Sequence, residues 1–114
     1  MAMNKRITKS AQTYKVEIFI AGDLQAIETI CAEYCNKVGL CVTVEPVNYI
    51  FTGGQERGAR IGLINYARFP KLMAEIWDTA YVLAEHLKVG LNQGSYTIQD
   101  DAESWFHSTR DEDQ

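Results

Sequence analysis

The chain of 114 residues is predicted to fold as one α+β domain of the ferredoxin-like class, with the element order β-α-β-β-α-β. Two observations predict this fold. Segments in which apolar and polar residues alternate are interleaved with two segments whose apolar residues recur every three or four positions. The chain is also long enough to bury one hydrophobic core and too short for two. We therefore expect two helices on one face of a four-stranded antiparallel sheet.

The first strand and the first helix are predicted from the segment that follows residue 13. YKVEIFI, residues 14 to 20, alternates as a half-buried strand does. Asp23 is a suitable N-cap for a helix over residues 24 to 38, and Gly39 is a suitable C-terminal cap. This helix carries one apolar stripe, so it is expected to pack against the sheet.

A long hairpin, a second helix and a last strand are predicted from the rest of the domain. LCVTVEPVNYIFT and GARIGLINY, residues 58 to 66, form the second and third strands, joined by a glycine-rich tip. Pro70 is placed in the first turn of a helix that ends near Gly90. SYTIQ is the last strand, and Trp105 and Phe106 are expected to pack back onto the body because both side chains are large and apolar.

We divide the chain into a flexible basic N-terminus at residues 1–13, the ferredoxin-like domain at 14–99 and an acidic C-terminal tail at 100–114. The tail contains six acidic residues against one arginine, whereas the whole chain has a formal net charge of -4. The body is therefore close to neutral, which argues against binding of nucleic acid by bulk charge. The tail is interpreted as a solvated terminus, with binding of a partner as the alternative.

No apolar run approaches the roughly 18 residues that a membrane span needs. The basic start of the chain is not followed by the apolar core of a signal peptide. We therefore expect a cytoplasmic protein. Three cysteines in such a compartment are not expected to form structural disulfides.

The face of the sheet opposite the helices is expected to be a surface for an oligomer or a ligand. If Ile61 and Leu63 point into the core, this open face mixes charged residues with large apolar ones. Its members would then be Lys15, Glu17, Phe19, Arg60, Gly62, Ile64 and Tyr66.

Glycine and arginine are concentrated in TGGQERGARIGLINY, residues 52 to 66, and this predicts an anion-binding site. Backbone N–H groups of a glycine-rich turn can surround an anion, and arginine side chains offer forked donors to phosphate or carboxylate. The alternative is that the tip glycines only supply the positive φ angles of a turn. A glycine within a strand, such as Gly62, often marks a close approach by backbone or ligand. The predicted ligand-binding residues are Gly53, Gly54, Arg57, Arg60, Gly62, Tyr66 and Arg68.

Other chemistries find less support in the sequence. Ala59 and Ile61 stand where an RNA-binding strand of this fold would carry stacking aromatic residues. No spacing suggests a Ser, His and Asp triad, and His86 is a lone histidine, so no catalytic residue and no cofactor are predicted. Cys31 and Cys35 share a helix face and are interpreted as buried thiols, with metal binding by these two and Cys41 as a weaker hypothesis.

Two resemblances bear on function. EIFIAGD, EYCNKVGLCVTV and YIFTGG with ERGARIGLINYARFP resemble small proteins of tailed bacteriophages across residues 14 to 106. This resemblance implies a phage accessory protein in a bacterial cytoplasm and brings no established activity. The order of strand, proline, hairpin, strand and RFPKL is similar to that of the CutA and PII groups, which are ferredoxin-like trimers. The hairpin tip lacks the tryptophan typical of CutA, and the layout implies a fold rather than a function.

These observations lead to a prediction of a non-catalytic phage accessory protein that is a homo-oligomer. It is expected to bind an anionic, nucleotide-like small molecule at the glycine and arginine residues of the hairpin. The alternative is an interaction module that inhibits a host protein through the acidic tail or the open face. A CutA-like metal-binding oligomer is a weaker alternative.

Overall fold

A computed structural model describes residues 4–114 of the chain. These residues form five strands, two α-helices and a short 3-10 helix. In chain order the elements are β1 (Lys15–Ala21), α1 (Leu24–Val38), β2 (Thr43–Phe51), β3 (Gly54–Ile64), α2 (Met73–Gly90), β4 (Ser95–Gln99), β5 (Ser104–Ser108) and the 3-10 helix Asp111–Asp113.

The strands form one antiparallel sheet in the order β2-β3-β1-β4-β5. Its first four strands have the ferredoxin-like arrangement expected from the sequence. The predicted number of four strands is wrong, because β5 adds a fifth strand at the edge beside β4. The sheet therefore extends beyond the domain end that we expected at residue 99.

The hydrophobic core lies between the sheet and the two helices. Val16, Ile18 and Ile20 alternate along β1 and are buried, and Ile61 and Leu63 on β3 are buried beside them. Successive side chains of a strand point to opposite faces, so this alternation leaves the intervening residues on the open face. The predicted orientation of Ile61 and Leu63 into the core is confirmed.

Helix α1 has the bounds and the caps that the sequence predicts. The Asp23 carboxylate accepts a hydrogen bond from the backbone N–H of Ala26 at 3.0 Å. Gly39 ends the helix in the left-handed conformation at φ 72°, and its N–H donates to the carbonyl of Cys35. Cys31 lies in the core, whereas Cys35 is half-buried and Cys41 is exposed.

The hairpin of β2 and β3 is paired down to its tip. Phe51 pairs with Gly54, which leaves a two-residue turn of Thr52 and Gly53, and Gly53 has a φ of 89°. A turn whose second central residue has a positive φ, as in a type II turn, favours glycine at that position, so turn geometry accounts for Gly53. The third strand begins at Gly54 and not at Gly58 as predicted, because cross-strand pairing continues through the polar residues near the tip.

Helix α2 begins at Met73, with Leu72 as its N-cap, so the prediction that Pro70 lies in its first turn is wrong. The Asn65 side chain accepts a hydrogen bond from the N–H of Lys71 at 2.9 Å and donates to the carbonyl of Gln12 at 2.8 Å. These contacts hold the segment before the helix as a loop.

Strand β5 lies within the segment that we predicted to be an acidic tail. Trp105 packs edge-on against Trp77 of α2, with ring centroids 4.7 Å apart. The expected packing of Trp105 onto the body is thus confirmed. Phe106 instead points to the open face and is 60% exposed, so the same expectation for Phe106 is wrong. Alternation along a strand separates these neighbouring aromatic residues.

Neither helix of the described residues has the length of apolar sequence that a bilayer-spanning helix needs. Within residues 4–114, no cluster of three or more His, Cys, Asp or Glu side chains is arranged to hold a metal ion.

Candidate functional site

One row of side chains crosses the open face from edge to edge. Cross-strand pairing places Glu45 beside Arg60, Arg60 beside Phe19, Phe19 beside Thr97, and Thr97 beside Phe106. The row changes from charged at the hairpin edge to aromatic at the β5 edge. A ligand on this face could therefore contact ionic and aromatic groups together.

A depression of about 360 Å³ lies on the open face between this row and the hairpin. The small side chain of Ala21 lines this depression between the larger Phe19 and Tyr49. Gly58, the partner of Ala21 across the strands, is covered by the Tyr49 ring. The volume of the depression lies at the lower end of the range for small-molecule sites.

Aromatic side chains form much of the wall of the depression. Phe19 and Phe106 stand on the sheet, while Tyr49 and Phe51 stand on the hairpin. The hydroxyl of Tyr49 donates to the carbonyl of Ala59 at 2.7 Å, which fixes its ring. Burial raises the pKa of Tyr49, so the phenol stays protonated. These side chains provide flat apolar surfaces on which a heteroaromatic ring can stack.

The polar groups around the depression have both signs of charge. Glu56 lies on the hairpin side, and Arg110 lies beyond the end of β5. Hydrogen-bonding side chains complete the lining near β4. They are Gln93, Ser95 and Thr97.

Arg60 is held by two carboxylates beside the depression. Its Nη2 donates to Glu45 Oε2 at 2.8 Å, and its Nε lies 3.2 Å from Glu17 Oε2. The second contact is an ionic approach without hydrogen-bond geometry, since Arg60 Nε has no hydrogen-bond partner among the described residues. The hydrogen bond to Glu45, with the charges of Glu45 and Glu17, raises the pKa of Arg60. Its charge is thus already balanced by protein groups.

The predicted ligand-binding residues are spread along the whole hairpin. Gly53 and Gly54 lie at its exposed tip, Arg57 is exposed further along β3, and Gly62 pairs with Glu17. Ile64 lies ten positions after Gly54 in β3, which corresponds to roughly 34 Å of extended strand. One small molecule cannot contact both ends within a single chain.

Tyr66 and Arg68 follow β3, at the end of the sheet remote from the hairpin tip. Tyr66 accepts a hydrogen bond from the thiol of Cys41 at 3.4 Å, and its ring packs against Phe69 at 5.4 Å. Arg68 is exposed. The structure therefore does not bring these two residues together with Gly53, Gly54 or Arg57.

Arg57 lines a second depression, of about 370 Å³, beside the turn between β1 and α1. The N-terminus of α1 also borders this space, and helix N-termini attract anions. Here the Asp23 carboxylate already occupies the capping position. This depression has fewer aromatic groups than the open-face one, so the open-face depression is the better candidate for a nucleoside.

Several residues of the open-face depression were absent from the predicted site. Phe19 was expected on the open face, because the alternation of β1 places it there, but it was not assigned to the ligand site. Tyr49 and Phe51 could have been found by continuing the hairpin pairing to its tip. Phe106 was expected to pack onto the body and not to line a site, and Arg110 had no signal, since their segment has the composition of a solvated tail.

Comparison with known proteins gives matches to solved structures alone. No protein-family model matches the chain, and no curated protein sequence matches it. A phage SAM lyase in its apo state superposes with a TM-score of 0.70 at 11% identity, covering 96% of this chain and 98% of that chain. A phage SAM lyase in complex with S-methyl-5'-thioadenosine superposes with a TM-score of 0.61 at 12% identity, covering 95% of this chain and 97% of the other.

These matches establish a shared fold across nearly the whole of each chain. The resemblances to tailed-phage proteins and to the CutA and PII groups stay predictions.

Proposed function

We propose that this protein binds S-adenosylmethionine on the open face of its sheet and cleaves it to S-methyl-5'-thioadenosine. The observation that carries the proposal is the depression walled by aromatic residues, in a fold shared with phage SAM lyases. One of those lyases is in complex with S-methyl-5'-thioadenosine. On this proposal the protein is a phage enzyme, and the expected non-catalytic role is replaced by a catalytic one.

The aromatic wall suits the adenosine part of such a ligand. Stacking of a base on an aromatic ring contributes about 1–3 kcal/mol when tested by alanine substitution. Phe19 and Phe106 rise from the sheet, and Tyr49 is fixed over the hollow by its hydrogen bond to Ala59. The adenine ring is proposed to lie between the sheet aromatics and the hairpin aromatics.

The charges of both signs around the depression suit the mixed charges of S-adenosylmethionine better than the uniformly negative phosphates of a nucleotide. Glu56 lines the depression, and Glu17 and Glu45 lie beside it around Arg60. S-Adenosylmethionine carries a sulfonium, an ammonium and a carboxylate. Carboxylate side chains attract the first two groups, whereas they would repel the phosphates of a nucleotide.

The reaction would break the bond between the sulfonium sulfur and the four-carbon amino acid fragment. The sulfur keeps the electron pair of that bond and becomes the neutral thioether of S-methyl-5'-thioadenosine. The fragment balances the step when an oxygen of its own carboxylate forms a bond to the carbon that leaves the sulfur, which closes a lactone and needs no proton acceptor. The neutral thioether that a sulfonium releases is already a good leaving group. The protein's main contribution is therefore to orient the fragment and limit its motion.

An anionic nucleotide bound by arginine and glycine is the alternative that the sequence predicts. The pairing of Arg60 with Glu45 and Glu17 weighs against it, because phosphate would have to displace a carboxylate. A binding assay with ATP distinguishes the two ligands. On our proposal ATP binds more weakly than S-methyl-5'-thioadenosine.

The experiment is incubation of the purified protein with S-adenosylmethionine, followed by chromatography and mass spectrometry of the products. We expect S-methyl-5'-thioadenosine to accumulate in proportion to the protein added. The variant Phe19→Ala should lower the yield and weaken binding of S-methyl-5'-thioadenosine by roughly tenfold, the equivalent of one lost stacking contact.

Val82→Ala is the matched control, because Val82 is an exposed apolar residue of α2 outside the depression. It should leave both product formation and binding unchanged. Absence of binding and of product with the wild-type protein would refute the proposed function. An equal loss in both variants would refute the location of the site.

A further inference from the structure

We infer that Arg110 determines specificity by binding the carboxylate of the substrate's amino acid portion, since Arg110 lines the open-face depression on the side of β5 and Glu56 lines it on the side of the hairpin. The inference rests on the proposed function and adds a residue to it. It predicts that the protein binds adenosyl thioethers that carry a carboxylate more tightly than those that do not.

The backbone that carries Arg110 is fixed at the end of β5. The N–H of Thr109 donates to the carbonyl of Gly94 at 2.8 Å, and the N–H of Arg110 donates to Ser108 Oγ at 3.1 Å. The carbonyl of Arg110 accepts from the N–H of Asp113 at 3.1 Å. These hydrogen bonds fix the backbone at Arg110. Less conformational entropy is therefore lost when its side chain binds a ligand.

The side chain of Arg110 lies flat across Gly94. A methyl group built at Gly94 would lie 2.6 Å from Arg110 Cγ and 2.7 Å from its Nε. The absence of a side chain at residue 94 therefore leaves the space that the arginine stem occupies. Gly94 does not have a positive φ, so close approach by Arg110 is the structural reason for glycine here.

The guanidinium of Arg110 is available to a ligand. Among the ion pairs and side-chain hydrogen bonds of residues 4–114, none involves this guanidinium, whereas Arg60 is held by two carboxylates. Among the acidic residues that follow, Asp113 accepts a hydrogen bond from the hydroxyl of Ser108. A planar guanidinium binds a carboxylate through two parallel hydrogen bonds.

Arg110 and Glu56, which line two sides of the open-face depression, together match the charges of the substrate's amino acid portion. Arg110 would bind its carboxylate, and Glu56 would lie near its ammonium group or the sulfonium. S-Methyl-5'-thioadenosine lacks this portion altogether. Arg110 should therefore affect the binding of substrate but not the binding of this product.

Calorimetric titration with three stable thioethers tests the inference. They are S-adenosylhomocysteine, its decarboxylated analogue and S-methyl-5'-thioadenosine. For Arg110→Ala we expect the affinity for S-adenosylhomocysteine to fall roughly tenfold or more, the usual effect of losing a hydrogen bond to a charged group. Affinity for the two ligands without a carboxylate should stay within about twofold of wild type, since Arg110 makes no hydrogen bond to either.

Three further variants sharpen the test. Gly94→Ala keeps the arginine but displaces its stem, so it should reproduce the selective loss, and Arg110→Lys should restore part of the affinity. Arg6→Ala removes an exposed arginine that does not line the depression and should change nothing. Thermal melts of each variant verify that the fold is retained.

The outcomes separate this inference from the proposed function. If the wild-type protein binds none of the three ligands and forms no product, the proposed function fails. If it binds them and Arg110→Ala weakens all three equally, or none, the carboxylate role of Arg110 is refuted while the proposed function stands.

Discussion

Gly58→Ala should destabilise the protein although it places a better strand former within β3. A methyl group at residue 58 would lie 2.2 Å from the carbonyl oxygen of Ile20 and 2.7 Å from Ala21 Cα. It would also lie 2.8 Å from Cε2 of Tyr49. Two of these three atoms are backbone of β1, so the clash cannot be relieved by rotating a side chain.

The magnitude follows from two opposing effects. Replacing glycine by alanine within a strand stabilises by roughly 0.5–1 kcal/mol when space is available. Overpacking a tight site costs about 1–3 kcal/mol, and contact with backbone favours the upper part of that range. We expect a net loss of about 2 kcal/mol, equivalent to roughly 8 °C in melting temperature for a domain of this size.

Gly62→Ala is the matched control in the same strand. Its methyl group would meet Thr43 Oγ1 at 2.5 Å, and that exposed side chain can rotate away. We expect a change in unfolding free energy below about 1 kcal/mol, since the strand-forming gain of alanine offsets the rearrangement. Urea unfolding of the two variants and the wild type measures both values. Equal destabilisation by the two substitutions would refute the reasoning from the β1 backbone.

Two further predictions concern titratable groups. Backbone hydrogen bonds from Glu103 and Ala102 lower the pKa of Asp100 in the folded protein. The Asp100 carboxylate should therefore stabilise the fold above about pH 4, and this stabilisation should be lost as the pH falls through the lowered pKa. Urea midpoints at pH 7 and pH 3 should therefore differ less for Asp100→Asn than for wild type, and an equal difference would contradict this assignment. Burial raises the pKa of Cys31 to about 11, so a thiol reagent at pH 8 should modify the exposed Cys41 quickly and Cys31 only after unfolding. Mass spectrometry of digested protein locates the label, and rapid native labelling of Cys31 would oppose the prediction.

The hairpin exposes apolar side chains that are relevant to the oligomeric state. Ile50 and Phe51 on the hairpin are 76% and 52% exposed, and such apolar exposure is typical of contact surfaces. The homo-oligomer predicted from the sequence, and the inhibition of a host protein, stay predictions. Native mass spectrometry with and without S-methyl-5'-thioadenosine would report the subunit number and the bound ligand together.

Local patterns in the sequence were enough to determine the bounds of α1 and β4 and the inward side of β1 and β3. Helix caps and alternating burial depend on residues close in the chain, so Asp23, Gly39 and the β1 alternation could be interpreted directly. The start of α2 could not, because contacts from Asn65 across the loop decide it.

Only the tertiary structure revealed β5 and the composition of the candidate site. The pairing of β5 with β4 and the packing of Trp105 on Trp77 are long-range contacts, and the acidic composition of the segment conceals them. Glycine and arginine could be located in the sequence, but the carboxylates that neutralise Arg60 come from two other strands. Because a binding site depends on which side chains the folded sheet brings together, local sequence patterns determined β1, α1, β4 and the inward side of β3, whereas strand pairing decided which residues face a ligand.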